Sequence, residues 1–161
     1  MSVRNDPYVW YSTLMLYISS DHNGFARKRE LIAFLTSKKI VCKDLGPLTL
    51  ANTDDYTDFA KKLAIKVQQE QKGRGILLCG SGNGMAMMAN RFPGIRAALC
   101  WNVHAAKKSR EDEDANVLVV STWWTSAPLT KKIVTTWLAT PFSHAARHKR
   151  RIRKLSRHGQ S

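Results

Sequence analysis

The sequence contains little cysteine and no long apolar run, and these two absences exclude several classes of protein. Three of the 161 residues are cysteine, at positions 42, 79 and 100, and they form no CxxC pair. A disulfide framework or a cysteine-bound zinc is therefore excluded as the basis of the fold, and a reducing compartment is expected. Without eighteen consecutive apolar residues, no transmembrane helix is expected. Residues 1–12 lack the apolar stretch of a signal peptide, so we predict an N-terminal extension on a cytoplasmic protein.

Acidic residues are also scarce. Twelve Asp and Glu stand against 26 Lys and Arg, giving a formal net charge of +14. Such an excess indicates an anionic partner, which can be a phosphate ester, a nucleic acid or an acidic surface. Residues 143–161 hold seven Lys or Arg and no acid. Because Ile152 and Leu155 interrupt these charges and no nucleic-acid motif accompanies them, a docked amphipathic helix is favoured over a nucleic-acid arm.

Short apolar runs alternate with helical patterns along the whole chain. Five runs are predicted as strands: residues 14–18, 40–45, 76–78, 97–99 and 117–120. Parallel strands need crossover connections, so strands joined by helices indicate an α/β fold with a parallel sheet covered on both faces. We predict a single domain over residues 13–158 that ends in a basic helix, with a tail at residues 159–161. Ligands of such sheets bind beyond the carboxyl ends of the strands.

The helical segments carry recognisable start signals. In the first helix, Leu31, Phe34 and Leu35 share one face, and Lys28 with its neighbouring arginines falls largely outside it. Thr53, Asp54 or Asp55 can cap the second helix. Ser126 with Pro128 is expected to start the fifth helix, and Ser143 to cap the basic one.

Residues 79–84 read CGSGNG and form the most informative stretch. Three glycines in five positions let backbone N–H groups turn inward as an anion-binding nest at the start of a helix. Such a loop can stabilise the oxyanion formed when a proton leaves a carbon next to a carbonyl. The same field is expected to lower the pKa of Cys79 and favour its thiolate. A tight turn with an inert buried cysteine explains the same pattern.

Two further sets of residues suit an anionic ligand. After the first strand, His22 could contact a phosphate, and Asp21 could hold a sugar hydroxyl or orient the imidazole. The alternative is a helix-capping Asp beside a surface His. Arg147 and Arg151 are four residues apart on the last helix and share a face, which suits a two-pronged grip on one phosphate.

Together these segments resemble the ribose-5-phosphate isomerase type B family, which includes the galactose-6-phosphate isomerase subunits. The matching pieces are SSDHNGF at residues 19–25, DDYTDFA at 54–60, the stretch 76–100 around CGSGNG, DANVL at 114–118 and TPFSHAARHKRRI at 140–152. The resemblance implies a Rossmann-like α/β/α sandwich with three layers. It also implies a homodimer, often paired into tetramers, with sites at the subunit interface and neither metal nor cofactor.

The resemblance also implies roles for matching positions. Cys79 matches the cysteine that moves a proton between C1 and C2 of a sugar phosphate through a cis-enediolate, and Ser81 matches a hydroxyl beside the reacting oxygens. Asp21 and Tyr56 fall where the family contacts the sugar. The anion hole matches Gly80, Gly82, Asn83 and Gly84. The phosphate contacts match His22, Arg147 and Arg151, with His148 as a further candidate.

Three positions depart from the family pattern. Asp112 stands where the family usually has the His that assists ring opening, Glu113 stands at the following Asn, and Trp123 replaces a common Arg. A carboxylate at position 112 acts mainly as a base unless its pKa is raised.

The leading hypothesis is isomerisation of a small phosphorylated sugar, most simply ribose 5-phosphate. Another tetrose, pentose or hexose phosphate, or a non-catalytic sugar-phosphate-binding protein, remains open. The tryptophans 123, 124 and 137 are expected to pack subunits together.

Overall fold

The computed structural model describes residues 15–158, so the predicted extension at residues 1–12 and the tail at 159–161 lie outside the described part. It contains five strands: β1 (Leu16–Ser20), β2 (Cys42–Asp44), β3 (Arg74–Cys79), β4 (Ala97–Leu99) and β5 (Val117–Ser121). All pair in parallel in the order β2-β1-β3-β5-β4. The predicted parallel sheet is confirmed.

Six helices connect and extend the strands: α1 (Phe25–Ser37), α2 (Tyr56–Gln69), α3 (Asn83–Ala89), α4 (Val103–Glu111), α5 (Ala127–Ala139) and α6 (Ala146–His158). One apolar cluster joins a face of the sheet to α1, α4 and α5, and another joins the opposite face to α2 and α3. The strands are apolar on both faces because both are covered. The three-layer α/β/α sandwich is therefore confirmed. Among residues 15–158, none of the helices has the length and hydropathy needed to cross a bilayer.

The capping residues predicted for three helices agree with the structure in one case and differ from it in two. The Ser126 hydroxyl accepts a hydrogen bond from the Leu129 amide at the start of α5, as expected. Asp55 occupies the cap position of α2, but its side chain makes no capping hydrogen bond. Ser143 lies before α6, which begins at Ala146, and its hydroxyl accepts from the Ala145 amide.

The expected outward position of Lys28 is wrong. Lys28 is 1% exposed, and its ammonium donates to both carboxylate oxygens of Asp44 at 2.9 and 2.8 Å and to the Pro47 carbonyl at 2.7 Å. A long side chain reaches across from α1 to the end of β2, where the carboxylate neutralises it.

The sheet has two edges with different residues at each. We call the edge where β1, β3 and β5 end, at Ser20, Cys79 and Ser121, the carboxyl edge. The edge where strands begin is the amino edge. Helices α4 and α5 follow β4 and β5, and each returns from the carboxyl edge to the amino edge, as parallel crossovers require. The start of α6 is joined to the end of α4, because the Ser143 amide donates to the Glu111 carbonyl at 3.1 Å.

Candidate active site

The loop from β3 to α3 places Cys79 at the carboxyl edge. Gly82 turns the chain with φ of 84°, and a Cβ there would lie 2.7 Å from the Leu99 side chain. Only glycine therefore fits this turn without strain. A Cβ on Gly80 would meet the Trp123 ring at 2.5 Å, and one on Gly84 would meet the Tyr56 ring at the same distance. The glycines thus let two aromatic rings lie directly against the loop backbone.

The side chain of Cys79, at the end of β3, is hydrogen-bonded to Asp21, which directly follows the neighbouring strand β1. The thiol donates a hydrogen bond to Asp21 Oδ2 at 2.9 Å, and Asp21 Oδ1 accepts from the Gly24 amide at the same distance. Cys79 is 7% exposed and Asp21 is 3% exposed. The pair is a buried thiol held by a buried carboxylate, and Asp21 does not orient the neighbouring imidazole.

The expected lowering of the Cys79 pKa is wrong. Burial, first, and then the hydrogen bond to Asp21 raise the pKa of the Cys79 thiol to about 12. Hydrogen bonds from the backbone at Gly82 and Gly80 act in the opposite direction but are the weaker influence. Desolvation and a nearby negative charge both disfavour the thiolate. In this chain the group at rest is the neutral thiol.

Asp54 holds His22. The imidazole Nδ1 lies 2.5 Å from Asp54 Oδ1, which also accepts from the His22 backbone amide at 3.3 Å. The imidazole Nε2 lies 2.9 Å from the side-chain nitrogen Nδ2 of Asn23. The hydrogen bond to Asp54 is the largest cause that raises the His22 pKa. Asp54 Oδ2 is buried and has no hydrogen-bond partner among the described residues. An imidazole held in this way retains its positive charge to higher pH, which suits contact with a phosphate.

Sequence reasoning missed the role of Asp54. It was considered only as a helix cap, together with Asp55. The sequence did offer one signal, which is the two successive acids Asp54 and Asp55. Only one of them can occupy the cap position of α2, and that residue is Asp55. The other was left without an assigned partner.

Tyr56 and the polar residues of the loop complete the carboxyl edge. Tyr56 begins α2, is 42% exposed and lies against Gly84. The Ser81 hydroxyl accepts from the Asn83 amide at 3.3 Å. Candidate site residues at this edge are therefore Asp21, His22, Tyr56, Cys79, Gly80, Ser81, Gly82, Asn83 and Gly84.

The remaining candidate residues form a second group at the end of α4 and the start of α6. His148 is buried, with Nδ1 2.7 Å from the Ser143 hydroxyl and Nε2 3.7 Å from Asp112 Oδ1. Arg147 donates from Nε to His148 Nε2 at 3.0 Å and is otherwise exposed. Burial and then the charge of Asp112 raise the pKa of Glu113. Arg151 is exposed one turn further along α6.

These two groups lie at opposite edges of the sheet within one chain. Asp112 and Glu113 precede β5, whereas Cys79 is paired with Ser121 at the end of β5. Strand β5 alone separates its two ends by about 13 Å. The structure therefore brings Asp21, His22 and Cys79 together but does not bring Arg147 or Arg151 to them.

The exposed tryptophans surround the carboxyl edge, but Trp137 does not. Trp123, Trp124 and Trp101 are each more than 60% exposed, with 63% for Trp123. A pocket of about 400 Å³ is lined by Ser81, Leu99, Trp101, Ser121 and Trp124. Trp137 is a residue of α5 and is fully buried in the core of its own chain, so the expectation that it packs subunits together is wrong.

Metal-binding side chains are not clustered in the described part of the chain. No group of three or more His, Cys, Asp or Glu residues between positions 15 and 158 is arranged to hold an ion. The groups at the carboxyl edge include a thiol, two carboxylates, an imidazole, the hydroxyls of Ser81 and Tyr56, and the backbone amides of the loop.

Comparison with known proteins gives one consistent family. The model of the family described as Ribose/Galactose Isomerase matches residues 16–155. The probable ribose-5-phosphate isomerase B of Mycoplasma pneumoniae is 39% identical over 140 residues, covering 87% of this chain and 91% of that protein. A 4-deoxy-4-sulfo-D-erythrose isomerase of Clostridium sp. strain MSTE9 is 36% identical over 130 residues, covering 81% and 82%.

A solved structure agrees with this assignment. The crystal structure of ribose-5-phosphate isomerase B from Mycoplasma genitalium with bound ribulose 5-phosphate is 37% identical, with a TM-score of 0.88. It covers 92% of this chain and 98% of that one. The family model, over residues 16–155, extends through the sheet, the CGSGNG loop and most of the basic helix. The chain belongs to the ribose/galactose isomerase family.

Proposed function

We propose that this sugar-phosphate isomerase interconverts ribose 5-phosphate and ribulose 5-phosphate, with Cys79 as the base. The observation that carries the proposal is the Cys79 thiol at the carboxyl edge, bonded to Asp21 and followed by the glycine loop. Family membership supports isomerisation, and the ribulose 5-phosphate bound to the Mycoplasma genitalium relative supports the choice of sugar.

The proposed reaction moves one proton between adjacent carbons. Cys79, as thiolate, takes the proton from C2 of the open-chain aldose, and the electron pair of that C–H bond forms a cis-enediolate. Backbone amides of residues 80–84 stabilise the negative charge on oxygen. The thiol then returns the proton to C1, and the Ser81 hydroxyl is the proposed carrier of a proton between the two oxygens. Asp21 and Tyr56 are the proposed contacts to the sugar.

Phosphate binding in this proposal requires two copies of the chain. His22 lies at the carboxyl edge, but Arg147, His148 and Arg151 lie beyond the amino edge of the same sheet. A homodimer with each site at the subunit interface brings the two groups together, alone or within a tetramer. Asp112 and Glu113 would enter the site with the same arginines, where Asp112 can act as the base that opens the furanose ring.

The cellular setting follows from the substrate. Interconversion of ribose 5-phosphate and ribulose 5-phosphate is a step of the pentose phosphate pathway. We place the enzyme in the cytoplasm, where its free cysteines 42, 79 and 100 remain reduced.

Solvent-deuterium incorporation tests the proposal directly. Wild-type protein in heavy water should introduce deuterium at C2 of ribose 5-phosphate, and Cys79→Ala should reduce the rate by at least 10²-fold because the base is lost. Cys42→Ala is the matched control: this thiol begins β2, next to the start of β1, and its removal should leave exchange within about twofold of wild type. Undiminished exchange by Cys79→Ala would overturn the assignment of the base.

A shorter sugar phosphate is the second candidate. The Trp123 ring lies against Gly80. Trp123 stands at the position where the family commonly has an Arg, so a bulky ring occupies the space beside the loop that a substrate would use. A panel of tetrose, pentose and hexose phosphates in the same exchange assay separates the two candidates. Binding of ribose 5-phosphate without any exchange would instead indicate a non-catalytic member of the family.

A further inference from the structure

The hydrogen bond between Cys79 and Asp21 joins two buried groups that share one proton. The sulfur-to-oxygen distance is 2.9 Å, and both residues are more than nine-tenths buried. Asp21 Oδ1 is fixed by the Gly24 amide at 2.9 Å, so Oδ2 is directed at the sulfur by the turn that starts α1. The geometry suits proton transfer between sulfur and carboxylate without movement of the backbone.

Asp21 is also the one charged side chain, among the described residues, that acts on the thiol. The other groups facing Cys79 are backbone amides at Gly80 and Gly82, which favour the thiolate. Water has little access to a side chain of this burial, so a proton leaving the sulfur has a single polar acceptor at hydrogen-bond distance. That acceptor is Asp21 Oδ2.

We propose that Asp21 is the proton acceptor that converts Cys79 to its thiolate, and is therefore a catalytic residue rather than only a sugar contact. The inference rests on the proposed role of Cys79 as base. When substrate binds, the S–H bond breaks and an O–H bond forms on Asp21. The thiolate removes the proton from C2, the resulting thiol returns it to C1, and Asp21 gives its proton back to sulfur as the product leaves.

Charge balance explains why a thiol with a raised pKa can serve as the base. The pair carries one negative charge whether the proton is on sulfur or on oxygen. Transfer within the pair therefore needs no additional charge in a buried site, whereas loss of the proton to solvent would place two negative charges 2.9 Å apart. The loop amides of Gly80 and Gly82 stabilise the sulfur anion once the carboxylate is neutral.

Asp21→Asn tests the pair because asparagine has a similar size but does not accept a proton. The carboxylate raises the thiol pKa, so its removal lowers that pKa and increases the thiolate fraction at fixed pH. We expect iodoacetamide to alkylate Cys79 at least tenfold faster in Asp21→Asn at pH 8, measured by peptide mass spectrometry. Cys42 and Cys100 in the same samples are internal controls, since burial rather than Asp21 raises their pKa to about 11, and their rates should not change.

Kinetics distinguish a proton acceptor from a sugar contact. In Asp21→Asn, kcat should fall at least 10²-fold with KM within about threefold of wild type, and Asp21→Glu should recover part of kcat. A rise in KM with kcat retained, or an unchanged alkylation rate at Cys79, overturns the inference. If Cys79→Ala abolishes exchange while Asp21→Asn leaves alkylation unchanged, Cys79 remains the base and only the role of Asp21 fails.

An infrared measurement on wild-type protein keeps the test independent of whether Asp21→Asn folds. The S–H stretching band that disappears in Cys79→Ser should be present in the free enzyme and diminish when substrate is added, as a protonated carboxyl band appears. Absence of both the S–H band and a protonated carboxyl band in the free enzyme would mean that the thiolate exists without Asp21 taking the proton, and would overturn the inference.

Discussion

At the scale of single residues, two carboxylates of the carboxyl edge raise the pKa of their partners with opposite consequences for charge. Burial, first, and then Asp21 raise the pKa of the Cys79 thiol, which favours its neutral form. The hydrogen bond to Asp54 raises the pKa of the His22 imidazole, which extends its positive charge to higher pH. In both cases the negative neighbour helps its partner to keep a proton. A thiol that keeps its proton is neutral, whereas an imidazole that keeps its second proton is positively charged. One edge of the sheet therefore places a thiol that holds its proton beside an imidazole whose positive charge is favoured.

Asp54→Asn should weaken substrate binding without slowing the chemical step. The raised pKa of His22 means that its positive charge is complete at low pH and is lost as pH rises through that pKa. In Asp54→Asn the pKa falls, so the charge is lost at lower pH and the rise of KM with pH should begin earlier. At a pH between the His22 pKa of Asp54→Asn and that of wild type, KM should increase roughly tenfold, the value of one charged hydrogen bond, with kcat within about twofold.

Asp55→Asn is the control for that prediction, because the adjacent carboxylate makes no capping bond and is not bonded to His22. Its KM profile against pH should follow that of wild type. Steady-state kinetics across the pH range, with a titration of the His22 ring protons by NMR, measure both variants. An imidazole titration that is the same in Asp54→Asn and wild type would contradict the role assigned to Asp54.

The residues that gather at the carboxyl edge could be predicted from sequence, but their partners could not. Strand ends in a parallel sheet meet at one edge, so Asp21, His22 and Cys79 were expected together. Which acceptor each side chain uses depends on side-chain direction and on the loop before α2, where Asp54 lies 32 positions from His22 in sequence. The glycine nest predicted a lowered pKa for the Cys79 thiol, and this was wrong because burial raises that pKa. Burial depends on the folded chain and has no local sequence signal.

At the scale of elements, a buried ion pair joins α1 to β2. The Lys28 ammonium reaches Asp44 and the Pro47 carbonyl, next to Gly46, where a Cβ would lie 2.9 Å from the Lys28 nitrogen. Strand β2 has three residues and lies at the end of the sheet, paired only with β1. The ion pair therefore fixes the short outer strand to the helix that begins beside Asp21.

Lys28→Met should destabilise the fold while keeping the apolar stem. Removal of one partner leaves Asp44 without its cation, and the cost should be about 2–3 kcal/mol because the Asp44 side chain retains some exposure to water. Arg29→Met is the matched control on the exposed side of the same helix, with an expected cost within about 0.5 kcal/mol. Urea unfolding measures both. Equal midpoints and slopes for the two variants would show that the buried pair contributes nothing to stability.

Element positions were predictable because each strand is a short apolar run between polar segments, and the five runs correspond to the five strands. The bounds of a strand differ from the prediction where the apolar run and the hydrogen-bonded part of the strand have different lengths. Strand β2, for example, was predicted for residues 40–45 and covers Cys42–Asp44. The burial of Lys28 was not predictable from the helical pattern. A lysine among arginines is normally exposed, and its partner belongs to another element.

At the scale of the whole molecule, the site residues divide between opposite edges of one sheet. The thiol, its carboxylate and the imidazole lie at the carboxyl edge, and Arg147 and Arg151 follow α5 beyond the amino edge. The sequence indicated both groups but not their separation, because the family resemblance assigns roles without distances. If the proposed function is right, a single chain has half of each site.

Mixing two inactive variants tests this division. Cys79→Ala lacks the base, and Arg147→Ala/Arg151→Ala lacks the phosphate grip, so each alone should have less than about 1% of wild-type kcat/KM. In a dimer that contains one copy of each variant, one of the two sites carries both defects and the other site carries neither. Equal mixing after reversible dissociation makes half of the dimers mixed, so about a quarter of wild-type activity should return. Cys79→Ala mixed with Cys79→Ser is the control and should remain inactive, since neither site of any dimer then has the base. If mixing restores nothing although mass spectrometry detects mixed dimers, each chain must supply its own thiol and arginines, and the site at the subunit interface is wrong.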